Sequence, residues 1–255
     1  MTHQELYEQL NIVYPPSLSC PWDHDGIMVM KNREQPVKKV LLALDCQNDC
    51  AKRAIVGGYD LIVTHHPLFF KPIDALVPAS PLLARGLLLY EKGISVFSFH
   101  TRLDCAEGGV NDVLSATLGL AHTEPFLVEG LPMGRVGDLQ EERSGREFAA
   151  FLKETLGLSA LFCNLPDKKI KRVAVLGGSG GGEWKDALLA GADCYVTGEA
   201  GYHHQLDAAE AGLCVMVCGH DLTETPVCRK LKEDILTLCP EAQIDIFEKN
   251  RIRCL

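Results

Sequence analysis

The sequence has no long apolar run and no leader-like start. In its 255 residues, no stretch approaches the roughly 18 consecutive apolar residues that a membrane helix needs. The first residues, MTHQELYEQL, are polar and lack the basic start and apolar core of a signal peptide. The sequence therefore predicts a cytoplasmic protein with no membrane partner.

C-x-x-C pairs and an excess of basic residues are also absent. The chain has 11 cysteines, but none of them forms a C-x-x-C pair. Without a secretory signal, we expect reduced and mostly buried thiols, and neither disulfides nor a zinc ribbon. The formal net charge is −9, which argues against a nucleic-acid partner.

Apolar strand-like runs alternate with helical segments along the chain. Examples of such runs are KKVLLALD (38–45) and LIVTHH (61–66), and helical patterns follow both. This alternation is typical of a mostly parallel sheet that helices cover on both faces. The length favours two domains over one. We predict an α/β fold of two linked three-layer α/β/α domains with mostly parallel sheets.

The predicted domain boundary lies at a break in this alternation. Residues 121–135 contain short strand-like pieces and turn residues, and the alternation resumes after them. We therefore assign residues 1–123 to a first domain and residues 124–255 to a second. The C-terminal helix and strand are candidates for packing back on the first domain.

Four predicted strands end in residues of the metal-ligand type. These strand ends carry Asp45, the pair His65 and His66, His100, and His220. In open α/β sheets, ligands bind just beyond the carboxyl ends of the strands. Neighbouring residues of an extended chain point in opposite directions. The histidine pair therefore serves one site if the chain turns there, or two metal ions if it does not.

Two of these histidines are followed by an acid four residues later. Asp104 follows His100 in this way, and Glu224 follows His220, so a helical turn would put each pair on one face. The nitrogen and oxygen donors suit zinc, iron, manganese or cobalt better than magnesium or calcium. Carboxylates that bridge two ions would indicate a dinuclear centre, which activates water for hydrolysis.

Other positions keep more than one interpretation. His100 is a candidate metal ligand, a hydrogen-bond partner behind a ligand, or a substrate contact. Asp45 is a candidate hydrogen-bond partner behind a ligand or a candidate substrate contact, although an aspartate at a strand end is more often part of a turn. Glu199 is a candidate for a supporting or substrate-facing role. The glycine-rich segment at 177–182 matches neither a dinucleotide motif nor a P-loop, and is either an anion-binding turn or a plain tight turn.

Several motifs together resemble one family. They occur in the family's order as THHPLFF (64–70), HTRLDCAEGGVND (100–112), GGSGGG (177–182), YVTGE (195–199) and GHDLTE (219–224). In addition, WDHDGI (22–27) is similar to the family's Trp-Asp-Asn-x-Gly-Leu signature. The family is that of the dinuclear-metal, Nif-three-like proteins, also called GTP cyclohydrolase type-two homologues. The resemblance covers about residues 5–250 and corresponds to the short form, without an inserted domain.

The resemblance implies an assembly and a set of metal ligands. Members of the family have two linked α/β/α halves and form a homohexameric toroid, with metal pairs that face an internal cavity. Two divalent metal ions per subunit are implied here. Carried over by motif, the ligands are His65, His66, Asp104, His220 and Glu224. His100 belongs to the motif and is a further candidate ligand.

This chain departs from the family pattern at three positions. His24 and Asp25 replace the usual asparagine and the residue after it, and Arg102 stands where asparagine is common. These positions lie near the expected cavity. We therefore expect them to affect substrate preference more than metal binding.

Two hypotheses from different functional classes follow. The first is a dinuclear-metal-dependent hydrolase that acts on a small nucleotide-like or phosphorylated substrate. The family name suggests GTP, opened at the imidazole ring of its base with loss of formate. The second is a metal-binding hexameric scaffold or regulatory protein, favoured by the lack of an evident general acid besides the ligands. No catalytic residue is assigned.

Overall fold

The computed structural model describes residues 1–75 and 80–248. Its strands are, in chain order, β1 (Gly26–Val29), β2 (Lys39–Ala43), β3 (Leu61–Thr64), β4 (Ser95–Ser98), β5 (Ala121–Val128), β6 (Leu131–Ser144), β7 (Phe162–Cys163), β8 (Lys169–Leu176), β9 (Cys194–Thr197), β10 (Cys214–Val217) and β11 (Gln243–Phe247). They form two sheets, and helices alternate with most of the strands. The predicted α/β class is therefore confirmed.

The helices are mostly short. They are α1 (His3–Val13), α2 (Asn48–Gly57), α3 (Pro81–Glu91), α4 (Thr101–Cys105), α5 (Val110–Thr117), α6 (Gly145–Leu156), α7 (Trp184–Leu189), α8 (Tyr202–Glu210), α9 (His220–Glu224) and α10 (Val227–Leu238). Single turns of 3₁₀ helix occur at Pro16–Leu18 and Gly181–Glu183. No helix of the described residues is long and apolar enough to cross a membrane.

The described chain divides into two compact units. One unit comprises residues 1–103 and 228–248, and the other comprises residues 104–227. The first boundary between the two units, after residue 103, thus lies inside α4 and not at residue 123. The physical reason is that α5 and β5 pack with the second sheet, since Leu114 of α5 lies in a core with residues of β6 and β8, and β5 pairs with β6.

The first unit contains a five-stranded sheet in the order β1-β4-β3-β2-β11. The strands β4, β3, β2 and β11 pair in parallel, and only the edge strand β1 is antiparallel among these described strands. The C-terminal strand β11 pairs with β2, so the end of the chain completes this sheet. Parallel pairing brings the carboxyl ends of β2, β3 and β4 to one edge.

Helices cover both faces of the first sheet. On one face, Leu41 and Ile62 of the sheet pack with Ala54 of α2 and Leu89 of α3. On the other face, α1 contributes Tyr7, whose ring lies 5.3 Å from that of Phe97 on β4. A capping box at Thr2 and Glu5 starts α1.

The second unit contains a six-stranded sheet in the order β5-β6-β8-β9-β10-β7. Its central strands β8, β9 and β10 are parallel, and the flanking strands are antiparallel. Neighbouring residues of β8 face opposite layers: Val175 packs with helices α5 and α6, and Ala174 packs with α7 and α8. The second unit is therefore also a three-layer arrangement.

Residues 121–135 form regular structure instead of a break. They belong to a hairpin in which β5 pairs with the 14-residue strand β6. Both turn residues, Glu129 and Gly130, have positive φ, at 50° and 84°. A two-residue hairpin loop with two positive φ values matches the twist of the strands, but glutamate is an unusual first residue for it. The hairpin was therefore not predicted from the sequence.

None of the cysteines in the described part of the chain takes part in a disulfide bond, and most of them are buried. Burial raises the pKa of the Cys218 thiol to about 12, so this side chain stays protonated.

Candidate metal centre

The histidine pair lies at a turn that directly follows the buried strand β3. The backbone N–H of His66 donates to the carbonyl of Leu44 over 3.0 Å, and the Thr64 hydroxyl donates to the carbonyl of His66 over 2.8 Å. The two imidazole centroids are only 4.9 Å apart. The chain therefore turns after Thr64, and the neighbouring histidines point toward the same region.

Hydrogen bonds fix the orientation of both rings. His65 donates from Nδ1 to the carbonyl oxygen of Phe99 over 2.9 Å, and His66 donates from Nδ1 to the carboxylate of Asp45 over 2.9 Å. A carbonyl or carboxylate can only accept, so the proton of each neutral ring belongs on Nδ1 and the lone pair on Nε2. Metal-binding histidines commonly have such a partner behind the ring. Asp45 therefore has a supporting position.

His100 is held in the same way by Asp23, which sequence reasoning did not select. Its Nδ1 donates to the Asp23 carboxylate over 3.0 Å, and the same carboxylate accepts the N–H and the hydroxyl of Thr101. Burial opposes ionisation of Asp23, but hydrogen bonds from His100 and Thr101 and electrostatic attraction to His100 outweigh it and hold the pKa of this carboxyl below its usual range. A charged carboxylate thus anchors His100.

The first unit brings these three histidines into one group. The ring centroid of His100 lies 5.2 Å from that of His65 and 5.6 Å from that of His66. Each residue offers a ring nitrogen, and these nitrogens lie within 4.8 Å of one another. His65 is fully buried and His66 nearly so. The group is therefore able to hold a metal ion.

Two departures from the family pattern pair with each other. Arg102 donates from Nε and Nη2 to the two carboxylate oxygens of Asp25, over 2.8 and 2.6 Å. Both side chains are almost fully buried, and such a bidentate pair fixes the planes of both groups. Asp25 also accepts the backbone N–H of His100. The pair therefore supports the backbone at His100, while His24 is exposed.

The second unit places His220 and Glu224 at the two ends of α9. Their Nε2 and Oε2 atoms are 3.1 Å apart, as expected for residues four apart on a helix. On the other side of the ring, Nδ1 of His220 donates to the Glu199 carboxylate over 2.9 Å. Glu199 thus has the position behind His220 that Asp45 has behind His66.

Asp104 lies near Glu224. Each offers a carboxylate oxygen, and the two oxygens lie within 4.8 Å of each other. Only 8% of Asp104 and 4% of Glu224 is exposed. Two buried like charges at this distance repel each other, and a cation between them would remove this cost. The donor chemistry therefore fits a divalent metal ion.

The glycine-rich turn after β8 packs against these ligands. A Cβ at Gly178 would lie 2.0 Å from Oε1 of Glu224 and 3.3 Å from Nε2 of His220, and its φ is +66°. Only glycine can bring the backbone this close in that conformation. The N–H of Gly178 donates to the Thr223 hydroxyl over 3.0 Å. These contacts favour the tight-turn interpretation over an anion site.

Asn111 joins this turn to Asp104, and it is a second residue that sequence reasoning missed. Its Nδ2 donates to the carbonyl oxygens of Met133 and Asp104 over 2.8 and 3.3 Å. Its Oδ1 accepts the N–H of Gly177 over 2.8 Å. The side chain is fully buried. One amide therefore links the backbone at Asp104 to the turn beside Glu224.

A signal for the missed residues was present in the motifs. Asp23 belongs to WDHDGI and Asn111 to HTRLDCAEGGVND, the segments on which the family resemblance rests. Only the folded chain shows which atoms they bind, since Asp23 acts on a residue 77 positions away.

These features define a class of protein: an α/β protein whose strand ends carry histidine and carboxylate groups that could hold metal ions. The chain matches the model of the Duf34/NIF3 (NGG1p interacting factor 3) family over residues 1–252. It therefore belongs to that family.

Individual relatives agree with this assignment. The chain is 34% identical over 242 residues to a GTP cyclohydrolase 1 type 2 homolog of Clostridium perfringens, covering 91% of both chains. It is 33% identical over 218 residues to the protein of that name from Clostridium acetobutylicum, covering 83% of this chain and 81% of the relative. A crystal structure of a Bacillus cereus protein related to NIF3 superposes with a TM-score of 0.89 at 22% identity, covering 100% of this chain and 99% of that one. This likeness supports the fold.

Proposed function

We propose that the protein is a dinuclear-metal-dependent hydrolase of a small nucleotide-like or phosphorylated substrate. The proposed ligands of its two divalent ions are His65, His66, Asp104, His220 and Glu224. The main support is the pair of buried carboxylates, Asp104 and Glu224, whose oxygens approach within 4.8 Å. Zinc, iron, manganese and cobalt all suit this mixture of donors.

The residues behind the ligands prepare the site for metal binding. Bonds from Nδ1 to Phe99, Asp45 and Glu199 leave Nε2 as the donor atom of His65, His66 and His220, respectively. When bound, a pair of divalent ions lowers the pKa of water and stabilises negative charge on a substrate oxygen. Asp104 and Glu224 supply negative charge that offsets the charge of the ions.

The names of the relatives suggest where to begin with substrates. Both clostridial relatives carry the name GTP cyclohydrolase 1 type 2 homolog. GTP is therefore the first substrate to test, with ring opening and release of formate as the reaction. Phosphoesters are the second class, because metal pairs also promote attack of water at phosphoryl groups.

The test is turnover by the metal-loaded protein. We expect release of formate from GTP or of phosphate from one of a panel of phosphoesters, and we expect Glu224→Gln to abolish it. Glu183→Gln is a matched control, since Glu183 is another half-buried acid of the second unit outside the candidate ligands. Absence of both products with zinc, iron, manganese and cobalt would contradict the hydrolase proposal.

The homohexameric toroid implied by the resemblance is part of this proposal. Light scattering of the purified protein would measure the mass of the assembly, before and after substitution of His65 and Glu224 by alanine. An intact hexamer with lost turnover would support a catalytic metal centre. Dissociation on metal loss, in a protein without turnover, would favour the scaffold hypothesis instead.

A further inference from the structure

Two exposed aromatic rings lie beside the histidine group of the first unit. Trp22 is 57% exposed and Phe70 is 52% exposed. The ring centroid of Trp22 lies 6.0 Å from that of His100, and the centroid of Phe70 lies 5.5 Å from His100 and 6.1 Å from His66. Single exposed aromatic residues are common on proteins. Two beside one candidate metal group are a more specific feature.

The backbone next to Trp22 is firmly held. The carboxylate of Asp23, the next residue, is almost fully buried and accepts three hydrogen bonds, from His100 and Thr101. The N–H of Cys20 donates to the Thr101 hydroxyl over 2.8 Å. The indole therefore projects from a fixed position, and a ligand that stacks on it would lose little of its binding energy to ordering the chain.

Phe70 is held by the residues before it. Leu68 is buried, and the ring of Phe69 packs against the core of the first unit, where a Cβ on Gly86 would lie 2.5 Å from it. Because Phe69 points inward, Phe70 is presented outward beside His66. Both exposed rings thus belong to segments whose neighbouring residues are held in place.

The charged groups that hydrogen-bond to His66 and His100 are acidic. The carboxylates of Asp45 and Asp23 contact His66 and His100, and the guanidinium of Arg102 is engaged by Asp25. The feature that this face offers to a ligand is its two exposed aromatic rings. Flat heteroaromatic rings stack well on tryptophan and phenylalanine.

We propose that Trp22 and Phe70 form a stacking subsite for a small molecule with a planar heteroaromatic ring, such as a nucleobase. The subsite holds this ring beside His66 and His100. The subsite would bind the substrate of the proposed hydrolase, so this inference rests on the proposed function. Binding of a planar ring can nevertheless be measured without turnover.

The chain offers a direct optical readout of this subsite. It has two tryptophans, and Trp184 is only 8% exposed. In a Trp184→Phe protein, Trp22 is the sole tryptophan, so its fluorescence reports on ligands that stack there. We would titrate guanosine and guanosine monophosphate, with ribose 5-phosphate as the control that lacks a base. We expect quenching by the two base-containing probes and none by ribose 5-phosphate.

Calorimetry of variants with native Trp184 measures the contribution of each ring. We expect Trp22→Ala to weaken guanosine binding about 5- to 150-fold, the range expected for loss of one stacking contact, and Trp22→Phe to restore most of it. Phe70→Ala should weaken binding in the same direction. Tyr202→Ala is the matched control, since Tyr202 is an exposed aromatic residue of the second unit, and it should leave affinity unchanged.

Each of three results of the binding measurements would overturn the subsite. They are failure of guanosine to bind, equal affinity for guanosine monophosphate and ribose 5-phosphate, and unchanged guanosine affinity in both Trp22→Ala and Phe70→Ala. Guanosine binding that depends on these rings in a protein without turnover would sustain the subsite and contradict the hydrolase. Turnover that is unchanged by both substitutions would sustain the hydrolase and contradict the subsite.

Discussion

The histidine group of the first unit and the carboxylates of the second unit are positioned by different means. In the first unit, hydrogen-bond acceptors fix the rings, as Asp45 does for His66 and Asp23 does for His100. In the second unit, Glu224 lies against backbone that only glycine allows, at Gly178. The orientation of the histidine rings depends on polar partners, whereas the position of Glu224 depends mainly on the room that a residue without a Cβ leaves beside it. Added volume should therefore disturb the second unit most.

The largest effect is expected from Gly178→Ala. The new methyl group would overlap Oε1 of Glu224 at a φ of +66°, so both backbone strain and overlap act against folding. We expect a loss of about 3 kcal/mol or more in the free energy of unfolding, together with loss of bound metal. Urea denaturation measures the first, and metal analysis of the folded fraction measures the second.

Gly182→Ala is the control within the same turn. A Cβ at Gly182 meets no atom within 4 Å, so we expect a change within about 0.5 kcal/mol. Equal stability of the two alanine variants would contradict the view that space around Glu224 is limiting.

The next largest effect is expected from Asn111→Ala. The substitution leaves the carbonyl of Met133 and the N–H of Gly177 without their present partner in a buried place, at a cost of about 1–3 kcal/mol each. Denaturation should show a total loss of at least about 2 kcal/mol, and metal affinity should fall as well. Ser115→Ala, which removes a buried hydroxyl from the same helix, should cost less than half as much. Similar losses in stability and metal affinity for both variants would argue against a positioning role of Asn111.

Part of the candidate site was predictable from the sequence alone. The strand ends at His65, His66 and His220 were predictable, because buried apolar runs and their polar ends are visible in a single sequence. The acids four residues after His100 and His220 were equally visible. Parallel pairing then does bring the ends of neighbouring strands to one edge of a sheet.

The parts that were missed depend on contacts between distant residues. The Arg102 and Asp25 pair joins positions 77 residues apart, and single-sequence reasoning recorded the two only as separate departures. The first unit's end at residue 103 depends on which sheet α5 packs against, a choice that hydrophobic periodicity does not reveal. The hairpin turn at Glu129 needs a positive φ that glutamate rarely adopts.

A direct comparison of the two units comes from the acids behind the histidines. Alanine at Asp45 removes the acceptor from His66, and alanine at Glu199 removes it from His220. We expect each substitution to weaken metal affinity about 10- to 100-fold, because the ring loses its fixed orientation. Asp45→Asn should have a smaller effect, since an amide oxygen can still accept a hydrogen bond from the Nδ1–H group of His66. Competition with a chelating dye measures these affinities, and unchanged values for both alanine variants would contradict the supporting roles.

The smallest effect concerns Glu183, a half-buried acid of the second unit. Burial raises the pKa of its carboxyl above the usual value, and the negative charge of Asp186 adds to the shift. The ionised form is thus disfavoured in the folded protein, and stability falls as the pH rises above the unfolded value. Glu183→Gln should add less than about 1 kcal/mol at neutral pH and nothing near pH ~3. Urea midpoints at the two pH values measure this, and an equal gain at both would contradict the charge explanation.

The central claim, that His65, His66, Asp104, His220 and Glu224 bind a pair of divalent ions, is tested most directly by metal analysis. Inductively coupled plasma mass spectrometry of the purified protein should find two divalent ions per chain after metal loading. His65→Ala and Glu224→Gln should each reduce that number, and Glu183→Gln should not. A wild-type protein that binds no metal, or ligand variants that keep the full number, would contradict the account.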